Sequence, residues 1–429
     1  MSNVVILGAG IAGISAAYHA GKLNIDAIVY EAEEKYGGLL DNFTIEGFRF
    51  DKAVHLSFTK DAYVRSLFAQ TSYHTHKPIS YNFESGKWLK HPVQNNLYPL
   101  AVQDKIEAIK GFVERPNPTE TDDYHEWLIQ QYGVYIAERF PLRYTEKYWT
   151  VPAGQLSTDW IGNRLYRPSL EEVLFGAMTE ETPNAYYAQE MRYPKVGGYK
   201  AFIEPLAAEC TIKTGKKAMF IDPSLRYVEF ETGEKVYYEF LISTIPLPKL
   251  VRMIKDAPET IVQAANTLWA TSVALVSFGF NRPDVPPHLW FYLYDESLWP
   301  ARCYSPSLKA SDNVPVGCSS LQFEIYFSRY KPLPGDHAML IRHCMKSLRM
   351  MNLADKEDIV LADCRVLPYG NVVFDKELRL KRQAVIAYLR EIDIHVAGRF
   401  GEWDYLWSDQ SLLSGKSVID FLSDEGEFN

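Results

Sequence analysis

The chain opens with a strand, a glycine-rich turn and a helix, and this arrangement restricts its fold more than any other feature. Residues 3–7 form a short, β-branched apolar run, which is typical of a buried strand. The glycines Gly8, Gly10 and Gly13 follow, and alanines at helical spacing come next. Gly8 permits a tight turn, Gly10 lets a pyrophosphate approach the backbone, and Gly13 allows the helix to pack on the strand. The pattern therefore predicts a dinucleotide site at a helix N-terminus.

A second strand supports this prediction. Residues 27–30 are apolar, and the carboxylate of Glu31 after them is suited to accept the ribose hydroxyls of an adenosine. A glycine-rich turn without a ligand is the alternative, although every part of the motif stands at the expected offset. The paired glycines Gly37 and Gly38, followed by Leu39, resemble the FAD proteins of the glutathione-reductase type, in which such a pair passes close to the flavin. This resemblance implies FAD rather than NAD.

Two segments far along the chain resemble later parts of the same cofactor domain. Residues 240–245 resemble the strand and turn that return to the FAD domain in amine-oxidase-like flavoproteins. Residues 394–397 and the glycine-rich stretch after them resemble the C-terminal strand and loop that reach the pyrophosphate and the flavin. We therefore expect an α/β fold with a discontinuous, Rossmann-like FAD-binding domain. Its expected segments are residues 1–70, 195–250 and 390–429.

The intervening segments are expected to bind the substrate. Residues 101–185 show helical spacing of apolar residues, which predicts a helical lobe over residues 101–194. Residues 272–345 instead contain strand-like apolar runs separated by Pro, Asn and Asp, which is typical of antiparallel strands. We therefore predict a mostly antiparallel sheet domain formed by residues 71–100 and 251–389.

Charge and composition exclude several classes of protein. The 429 residues include 45 Lys and Arg against 54 Asp and Glu, which gives a net charge of −9. Such a chain has no global attraction for nucleic acid or anionic lipid, so an anionic ligand needs a local cluster of arginines. The five cysteines show no metal-ligand pattern, and no apolar run reaches the roughly 18 residues of a membrane span. We expect a cytoplasmic protein with a small-molecule substrate and without metal, nucleic acid or membrane span, and the oligomeric state stays open.

Several segments along nearly the whole chain resemble one branch of this superfamily, the UDP-galactopyranose mutases, especially the eukaryotic type. They lie at residues 47–55, 92–96, 149–152, 160–164, 192–198, 292–302 and 398–405. In that family, reduced FAD is the active form, and flavin N5 attacks the anomeric carbon of a sugar and displaces a nucleoside diphosphate. The sugar then opens, closes as a furanose ring and recovers the diphosphate. The resemblance therefore implies a mutase of a nucleotide diphosphate sugar that serves polysaccharide biosynthesis.

The resemblance also implies which residues form the site. Arg164 and Arg302 match two arginines that bind the diphosphate, which suits a leaving group with its charge on phosphate oxygens. His55 matches the histidine on the loop that touches the flavin, and it completes the expected catalytic set. The expected substrate-binding residues are Gln94, Asn95, Trp160, Tyr292, Tyr405 and Asp409. The expected FAD-binding residues are Gly8, Gly10, Ala12, Gly13, Glu31, Gly37, Gly38, Leu39, Arg399 and Gln410.

The chain departs from the pattern of the family at several positions. Ala53 and Val54 stand where the family usually has two glycines before the histidine. The run that holds uracil in eukaryotic mutases has an aromatic residue on each side of a proline, whereas residues 91–94 here are His-Pro-Val-Gln. Asp409 and Thr145 each replace an asparagine at the substrate side. The nucleotide base and the sugar are therefore left open.

Two other functions share the fold and the cofactor motifs. An oxidase or dehydrogenase of the amine-oxidase or protoporphyrinogen-oxidase type would move a hydride from a C–N or C–C bond to FAD. The C-terminal stretch 398–410 differs from the acidic motif and aromatic cage of amine oxidases, whereas the missing uracil-binding aromatics favour this alternative. A flavin-binding protein without turnover, acting as a sensor or an assembly partner, is the third possibility. The arginines and tyrosines expected at the substrate side argue against it.

Overall fold

A computed structural model describes residues 3–162, 164–183 and 188–424. Residue 163, which belongs to the segment 160–164, lies outside the described residues. Residues 1–2 and 425–429, which belong to the predicted FAD-binding domain, also lie outside them.

A five-stranded parallel sheet forms the first layer. Its strand order is Ile394–Val396, Phe240–Ser243, Asn3–Leu7, Asp26–Tyr30, Thr211–Lys213. The central strand is buried on both faces, which explains why its sequence is continuously apolar. Helix Ile11–Lys22 follows it directly and packs against the C-terminal helix Ser408–Asp424. The predicted strands are therefore present, and their ends differ from the prediction by at most two residues.

A seven-stranded sheet forms the second layer. Its strand order is Ile359–Leu367, Ser272–Phe280, Ser319–Phe327, Arg302–Tyr304, Trp290–Leu293, Tyr81–Glu84, Lys87–Lys90. All neighbouring pairs are antiparallel except Trp290–Leu293 with Tyr81–Glu84, which is parallel. The sheet is thus mostly antiparallel, as predicted. Together with the parallel sheet and the helices described below, it confirms the predicted α/β fold with a discontinuous Rossmann-like part.

One face of this sheet packs on a helix that the strand-like pattern of residues 272–345 did not predict. Leu321, Phe323 and Ile325 share a buried core with the helix His337–Met350. The side chain of Asp336 accepts the backbone N–H of Met339 at 2.7 Å, and such an N-cap starts a helix. The opposite face of the strand carries Gln322, Glu324 and Tyr326, because alternate side chains of a strand point to opposite faces.

The middle of the chain is helical. Its helices are Val102–Val113, Tyr124–Tyr132, Val134–Arg139, Pro141–Tyr148 and Leu170–Met178. Gly133 separates two of them with a φ of +75°, and a Cβ there would lie 2.1 Å from the carbonyl oxygen of Gly111. The strand Met191–Pro194 falls inside the predicted lobe 101–194, but it pairs with Tyr73–His76. The division of the chain into three domains stays a prediction.

The remaining elements are shorter or lie at the periphery. The helices are Ala62–Phe68, Glu204–Ala207, Leu247–Met253, Glu259–Thr267, Pro306–Lys309, Leu378–Glu391 and Gly398–Gly401. The strands are Ala218–Asp222, Tyr227–Phe230 and Lys235–Tyr237 in one small sheet, and Asn42–Ile45 with Phe48–Asp51 in another. Within the described ranges, no helix is both long enough and apolar enough to cross a bilayer.

Candidate active site

A cavity of about 530 Å³ lies at the carboxyl ends of the parallel strands, where doubly wound folds bind their ligands. The seven-stranded sheet closes its other side. The predicted site residues that line it are Gly8, Gly10, Ala12, Glu31, Gly37, Gly38, Leu39, His55, Tyr292, Arg302, Arg399, Tyr405 and Asp409. Among the described residues, its wall does not include the other predicted ones, which are Gly13, Gln94, Asn95, Trp160, Arg164 and Gln410.

The three glycines of the first turn have three different surroundings. Gly8 has a φ of +97°, and a Cβ there would lie 2.5 Å from Thr244 Oγ1. A Cβ on Gly13 would lie 2.0 Å from the carbonyl oxygen of Gly8, so Gly13 permits the close packing of helix on strand. Around a Cβ on Gly10, in contrast, no described atom lies within 4 Å. The fold therefore leaves space for a ligand above Gly10, at the N-terminus of the first long helix.

Glu31 has a fixed orientation at the end of the second strand. One of its carboxylate oxygens accepts the N–H of Ala9 at 2.7 Å, and the other accepts the N–H of Glu33 at 3.0 Å. An ionised carboxylate offers about four acceptor sites, so each oxygen retains capacity for a further donor. The carboxylate can therefore accept the hydroxyls of a ribose from a position that the backbone fixes.

Two further glycine turns approach the first one. Gly37 has a φ of +119° and donates its N–H to the carbonyl of Ala9 at 2.8 Å. A Cβ on Gly38 would lie 3.2 Å from Gly10 Cα, and one on Gly398 would lie 2.5 Å from Ala12 Cβ. A side chain at Gly38 or Gly398 would fill the space between the glycine turns, which we call the cofactor cradle. The three turns therefore fit an extended, phosphate-containing dinucleotide.

Arg399 and Gln410 lie at the C-terminal side of the cradle. Arg399 Nη2 donates to Asn371 Oδ1 at 2.6 Å, and its guanidinium carbon lies 4.6 Å from the centre of the Tyr405 ring. The amide oxygen of Gln410 accepts the N–H of Trp407 at 2.9 Å. Gln410 is exposed, so in this structure it supports the start of the last helix.

A row of side chains crosses the seven-stranded sheet at the other end of the cavity. Tyr292 is directly opposite Arg302 on the adjacent strand, and Arg302 is directly opposite Glu324 on the next one. Arg302 Nε donates to Glu324, and Arg302 Nη2 donates to the hydroxyl of Tyr326 at 2.9 Å. Burial opposes the charge of Arg302, but Glu324 and the tyrosines outweigh it and raise the pKa of Arg302 well above its ordinary value.

Arg302 Nη1 makes no hydrogen bond within the part of the chain that the structure describes. Its guanidinium carbon lies 5.2 Å from the centre of the Tyr148 ring, so the aromatic face and Glu324 together hold the group in place. Because Arg302 lines the cavity, the geometry leaves Nη1 available to an anionic oxygen.

Three further tyrosines, Tyr148, Tyr292 and Tyr405, line the same cavity as this arginine. The hydroxyls of Tyr148 and Tyr405 are 3.0 Å apart, and Tyr148 also donates to Asn371 Oδ1 at 3.2 Å. The indole N–H of Trp290 donates to the hydroxyl of Tyr292 at 3.4 Å. Burial raises the pKa of Tyr148 far above its ordinary value. Its phenol is therefore protonated, and it acts as a hydrogen-bond donor.

Arg164 lies behind Tyr405, outside the cavity wall. Its Nη1 donates to the carbonyl of Trp160 and its Nη2 donates to the carbonyl of Tyr405, each at 2.7 Å. The guanidinium carbon lies 4.9 Å from the ring centre of Tyr405 and 4.8 Å from that of Trp407. Trp160 packs edge to face against the same Tyr405 ring at 6.0 Å. The arrangement positions Tyr405, and the binding role of Arg164 and Trp160 stays a prediction.

His55 lies in the loop after the strand Phe48–Asp51, and it lines the same cavity. Its Nδ1 is 3.1 Å from the carbonyl oxygen of Ala53, so Nδ1 carries the proton and Nε2 is the acceptor. Burial lowers the pKa of His55 to about 4, so the ring is neutral at pH 7. Ala53 has a φ of +81°, a region that favours the glycine for which it substitutes.

Gln94 and Asn95 lie beside the helical lobe, away from the cavity. The amide of Gln94 donates to the carbonyl of Tyr166 at 3.3 Å. A Cβ on Gly176 would lie 1.9 Å from the carbonyl oxygen of Asn95, so the helix Leu170–Met178 packs directly on this segment. Their predicted contact with the substrate stays a prediction.

Sequence reasoning missed four residues that complete the site, which are Tyr148, Asn371, Glu324 and Tyr326. Glu324 did give a signal, since it is an acid in the middle of a buried apolar strand, and a buried acid needs a partner. Asn371 lies in a loop and gave none. Asp409 lines the cavity, and its contact with the substrate stays a prediction.

Comparison with known proteins places the chain among flavoproteins. The flavin containing amine oxidoreductase family matches residues 11–363. The chain is similar to the crystal structure of reduced UDP-galactopyranose mutase, with a TM-score of 0.93, 26% identity, and coverage of 99% of this chain and 96% of that chain. A candidate protoporphyrinogen oxidase from Exiguobacterium sp. 255-15 has a TM-score of 0.76 at 17% identity, with 99% of each chain covered.

A putrescine oxidase variant has a TM-score of 0.70 at 16% identity, with coverage of 98% of this chain and 99% of that chain. The two oxidases share the fold alone. Together the comparisons confirm the resemblance drawn from the sequence and establish FAD as the cofactor. The chain belongs to the flavin containing amine oxidoreductase family.

Proposed function

We propose that this protein is a flavin-dependent mutase that interconverts the pyranose and furanose forms of a nucleotide diphosphate sugar. The observation that carries the proposal is the row Tyr292, Arg302 and Glu324, which presents an arginine with open donors at the end of the FAD cavity. The similarity to reduced UDP-galactopyranose mutase over 99% of the chain supports it.

The glycine turns and Glu31 would hold FAD in this proposal. Gly10 and Ala12 would lie beside the pyrophosphate, Glu31 would accept ribose hydroxyls, and Arg399 would bind at the C-terminal side of the same cavity. Reduced FAD, when bound, supplies the nucleophile for the anomeric carbon. The neutral His55 offers an acceptor nitrogen at the same end of the cavity, because its Nδ1 proton is directed to the carbonyl of Ala53.

The diphosphate would bind to the open side of Arg302. Its Nη1 donates two N–H groups in a plane, which matches the geometry of phosphate oxygens. Tyr292 and Tyr405 line the same cavity, and a phenol can donate to a phosphate oxygen without adding a charge. Tyr148, which donates to Asn371, would hold the hydroxyl of Tyr405 beside them. These residues would bind the diphosphate both while it is attached to the sugar and after it leaves, so that it is returned to the same carbon.

An anaerobic titration of the dithionite-reduced protein with UDP, GDP, dTDP, CDP and ADP tests the proposal. We expect one nucleotide to change the flavin fluorescence and absorbance in a saturable manner, which identifies the base. Hexopyranoses linked to that nucleotide are then incubated with the reduced protein, and NMR is used to detect the furanose form. A reducible, tightly bound FAD that responds to none of the five nucleotides contradicts the proposal.

One observation favours a second candidate, an FAD oxidase of small amines or other hydride donors. Arg302 is paired with the buried carboxylate of Glu324, and Asp409 adds a further acid to the cavity wall. This balance of charge also accommodates a neutral or cationic substrate. Reduction of the oxidised flavin by amines, with hydrogen peroxide formed in air, would support the oxidase and contradict the mutase.

A further inference from the structure

Glu324 is a carboxylate with no solvent exposure, in the strand that faces the cavity. One of its oxygens accepts the N–H of Val54 at 2.8 Å. The other accepts from Arg302 Nε and from the hydroxyl of Tyr326, the latter at 2.6 Å. The carboxylate therefore bonds to the loop after the strand Phe48–Asp51 with one oxygen and to the anion-binding arginine with the other.

An anion that binds Arg302 encounters a guanidinium that is already paired. The side chain of Arg302 is 20% exposed, whereas that of Glu324 is 0% exposed. The ligand must therefore approach on the cavity side, with Glu324 on the opposite side of the same guanidinium. Because charges interact strongly at short range in a protein interior, the carboxylate repels the ligand while the arginine attracts it.

We propose that Glu324 limits the affinity of the site for the nucleoside diphosphate by neutralising Arg302. This inference rests on the proposed function, in which the diphosphate must be held, released from the sugar and returned. A fully unopposed arginine would retain the diphosphate too tightly for the product to leave.

The alternative role of Glu324 is to orient Arg302, and the two roles predict opposite effects of Glu324→Gln. When the amide oxygen of Gln accepts the N–H of Val54, the loop keeps its bond, and the amide NH2 replaces the oxygen that accepted from Arg302 Nε. The ion pair and its hydrogen bond to Nε are then both lost. The Tyr148 ring and the Tyr326 hydroxyl still hold the guanidinium. Neutralisation therefore predicts tighter binding of the diphosphate in this variant, whereas orientation predicts weaker binding.

The first experiment measures, by flavin fluorescence, the dissociation constant of UDP, or of whichever of the five nucleotides binds the reduced wild type, for the wild type and for Glu324→Gln. We expect the constant to fall at least tenfold in the variant, with a steeper dependence on salt. The matched control is Glu84→Gln, since Glu84 is a buried carboxylate paired with Arg139 in the helical lobe. The control should bind UDP as the wild type does, and weaker or unchanged binding in Glu324→Gln overturns the inference.

A second pair of variants decides the question even if Glu324→Gln does not fold with an unpaired buried arginine. Arg302→Gln alone should weaken UDP binding, because the carboxylate then faces the ligand without its partner. Adding Glu324→Gln to Arg302→Gln removes both charges and should restore the affinity at least threefold. No restoration would show that Glu324 acts only by orienting Arg302, and it would overturn the inference.

The two proposals fail in different ways. A wild type that responds to none of the five nucleotides removes the proposed function and this inference with it. A wild type that binds UDP, with a Glu324→Gln variant that binds it less well, removes the inference alone.

Discussion

His55 lies over the ring of Tyr199, with the ring centres 5.2 Å apart and the planes inclined by 28°. Tyr199 is itself fixed at both ends. Its backbone N–H donates to Asp51 at 3.1 Å, and its hydroxyl lies 2.8 Å from that of Ser408 at the start of the C-terminal helix. The stack therefore fixes the histidine between the loop after Asp51 and the last helix.

Burial lowers the pKa of His55 from 6.5 to about 4, which makes stability depend on pH. Between these two values the unfolded chain binds a proton that the folded chain does not. The free energy of unfolding should therefore fall as the pH falls through this window, by up to about 3 kcal/mol for this group. We expect His55→Gln to flatten the pH dependence in urea unfolding between pH 4.5 and 7.5. The exposed His337 provides a control. An equal flattening in His337→Gln would contradict the attribution of this pH dependence to His55.

Three glycine variants separate packing from cofactor binding. Gly10→Ala should fold normally, because its Cβ meets no described atom within 4 Å, but it should lose FAD affinity because the Cβ occupies the ligand's space. Gly13→Ala should unfold at a lower urea concentration than the wild type, since its Cβ would lie 2.0 Å from a carbonyl oxygen. Gly21→Ala, in the same helix and equally open, should keep FAD and gain about 0.5 to 1 kcal/mol. Retention of FAD by Gly10→Ala would contradict the predicted pyrophosphate position.

Arg302→Ala should weaken the binding of UDP by about 1.5 to 3 kcal/mol, as expected for a lost charge-assisted contact. FAD should remain bound, because the cofactor cradle lies on other elements. The variant also leaves the buried Glu324 without its partner, so the free energy of unfolding should fall by about 3 to 5 kcal/mol. Fluorescence titration and urea unfolding measure the two effects. An unchanged UDP affinity would remove Arg302 from the site.

Arg164 should act on the ligand through Tyr405, since it donates to the carbonyl of Tyr405 and lies against its ring. We expect Arg164→Ala and Tyr405→Phe each to weaken UDP binding. Their combined effect should be smaller than the sum, with a coupling of about 0.5 to 3 kcal/mol. A double-mutant cycle of UDP dissociation constants measures this coupling. Strict additivity would indicate that Arg164 contacts the ligand independently of Tyr405.

Lys309 forms a fully buried ion pair with Asp51, with 3.1 Å between Nζ and Oδ2 and no exposure of either side chain. Lys309→Met should lower the free energy of unfolding by about 3 to 5 kcal/mol, because it leaves a buried carboxylate without its cation. Urea unfolding measures the loss. Lys22→Met removes an ion pair that is half exposed on both sides, so it should cost less than about 1 kcal/mol. An equal loss of unfolding free energy in Lys309→Met and Lys22→Met would contradict the expectation that burial makes the Lys309–Asp51 pair the more important one for stability.

Short-range patterns were sufficient to predict the cofactor half of this protein. The offsets between Gly8, Gly13 and Glu31 are set by local geometry, because a strand, a tight turn and a helix leave little freedom within thirty residues. Four of the five parallel strands were predicted: the two at residues 3–7 and 27–30 from their apolar sequence, and the two at residues 240–245 and 394–397 from the resemblance. The edge strand Thr211–Lys213 was not predicted, because it is short and largely exposed and so has no apolar run. The prediction of FAD followed from these local rules and from the resemblance.

The substrate side depended on contacts between residues that are distant in sequence. The register of three strands brings Tyr292, Arg302 and Glu324 into one row, and a shift by one residue would turn each side chain to the opposite face. Asn371 joins Arg399 to Tyr148 across segments that are more than 200 residues apart in the chain. Arg164 lies outside the wall of the cavity and Arg302 forms part of it, although both match the pattern of the family. Sequence spacing identified these arginines, but their exposure to the cavity depends on how the lobe and the sheet pack together.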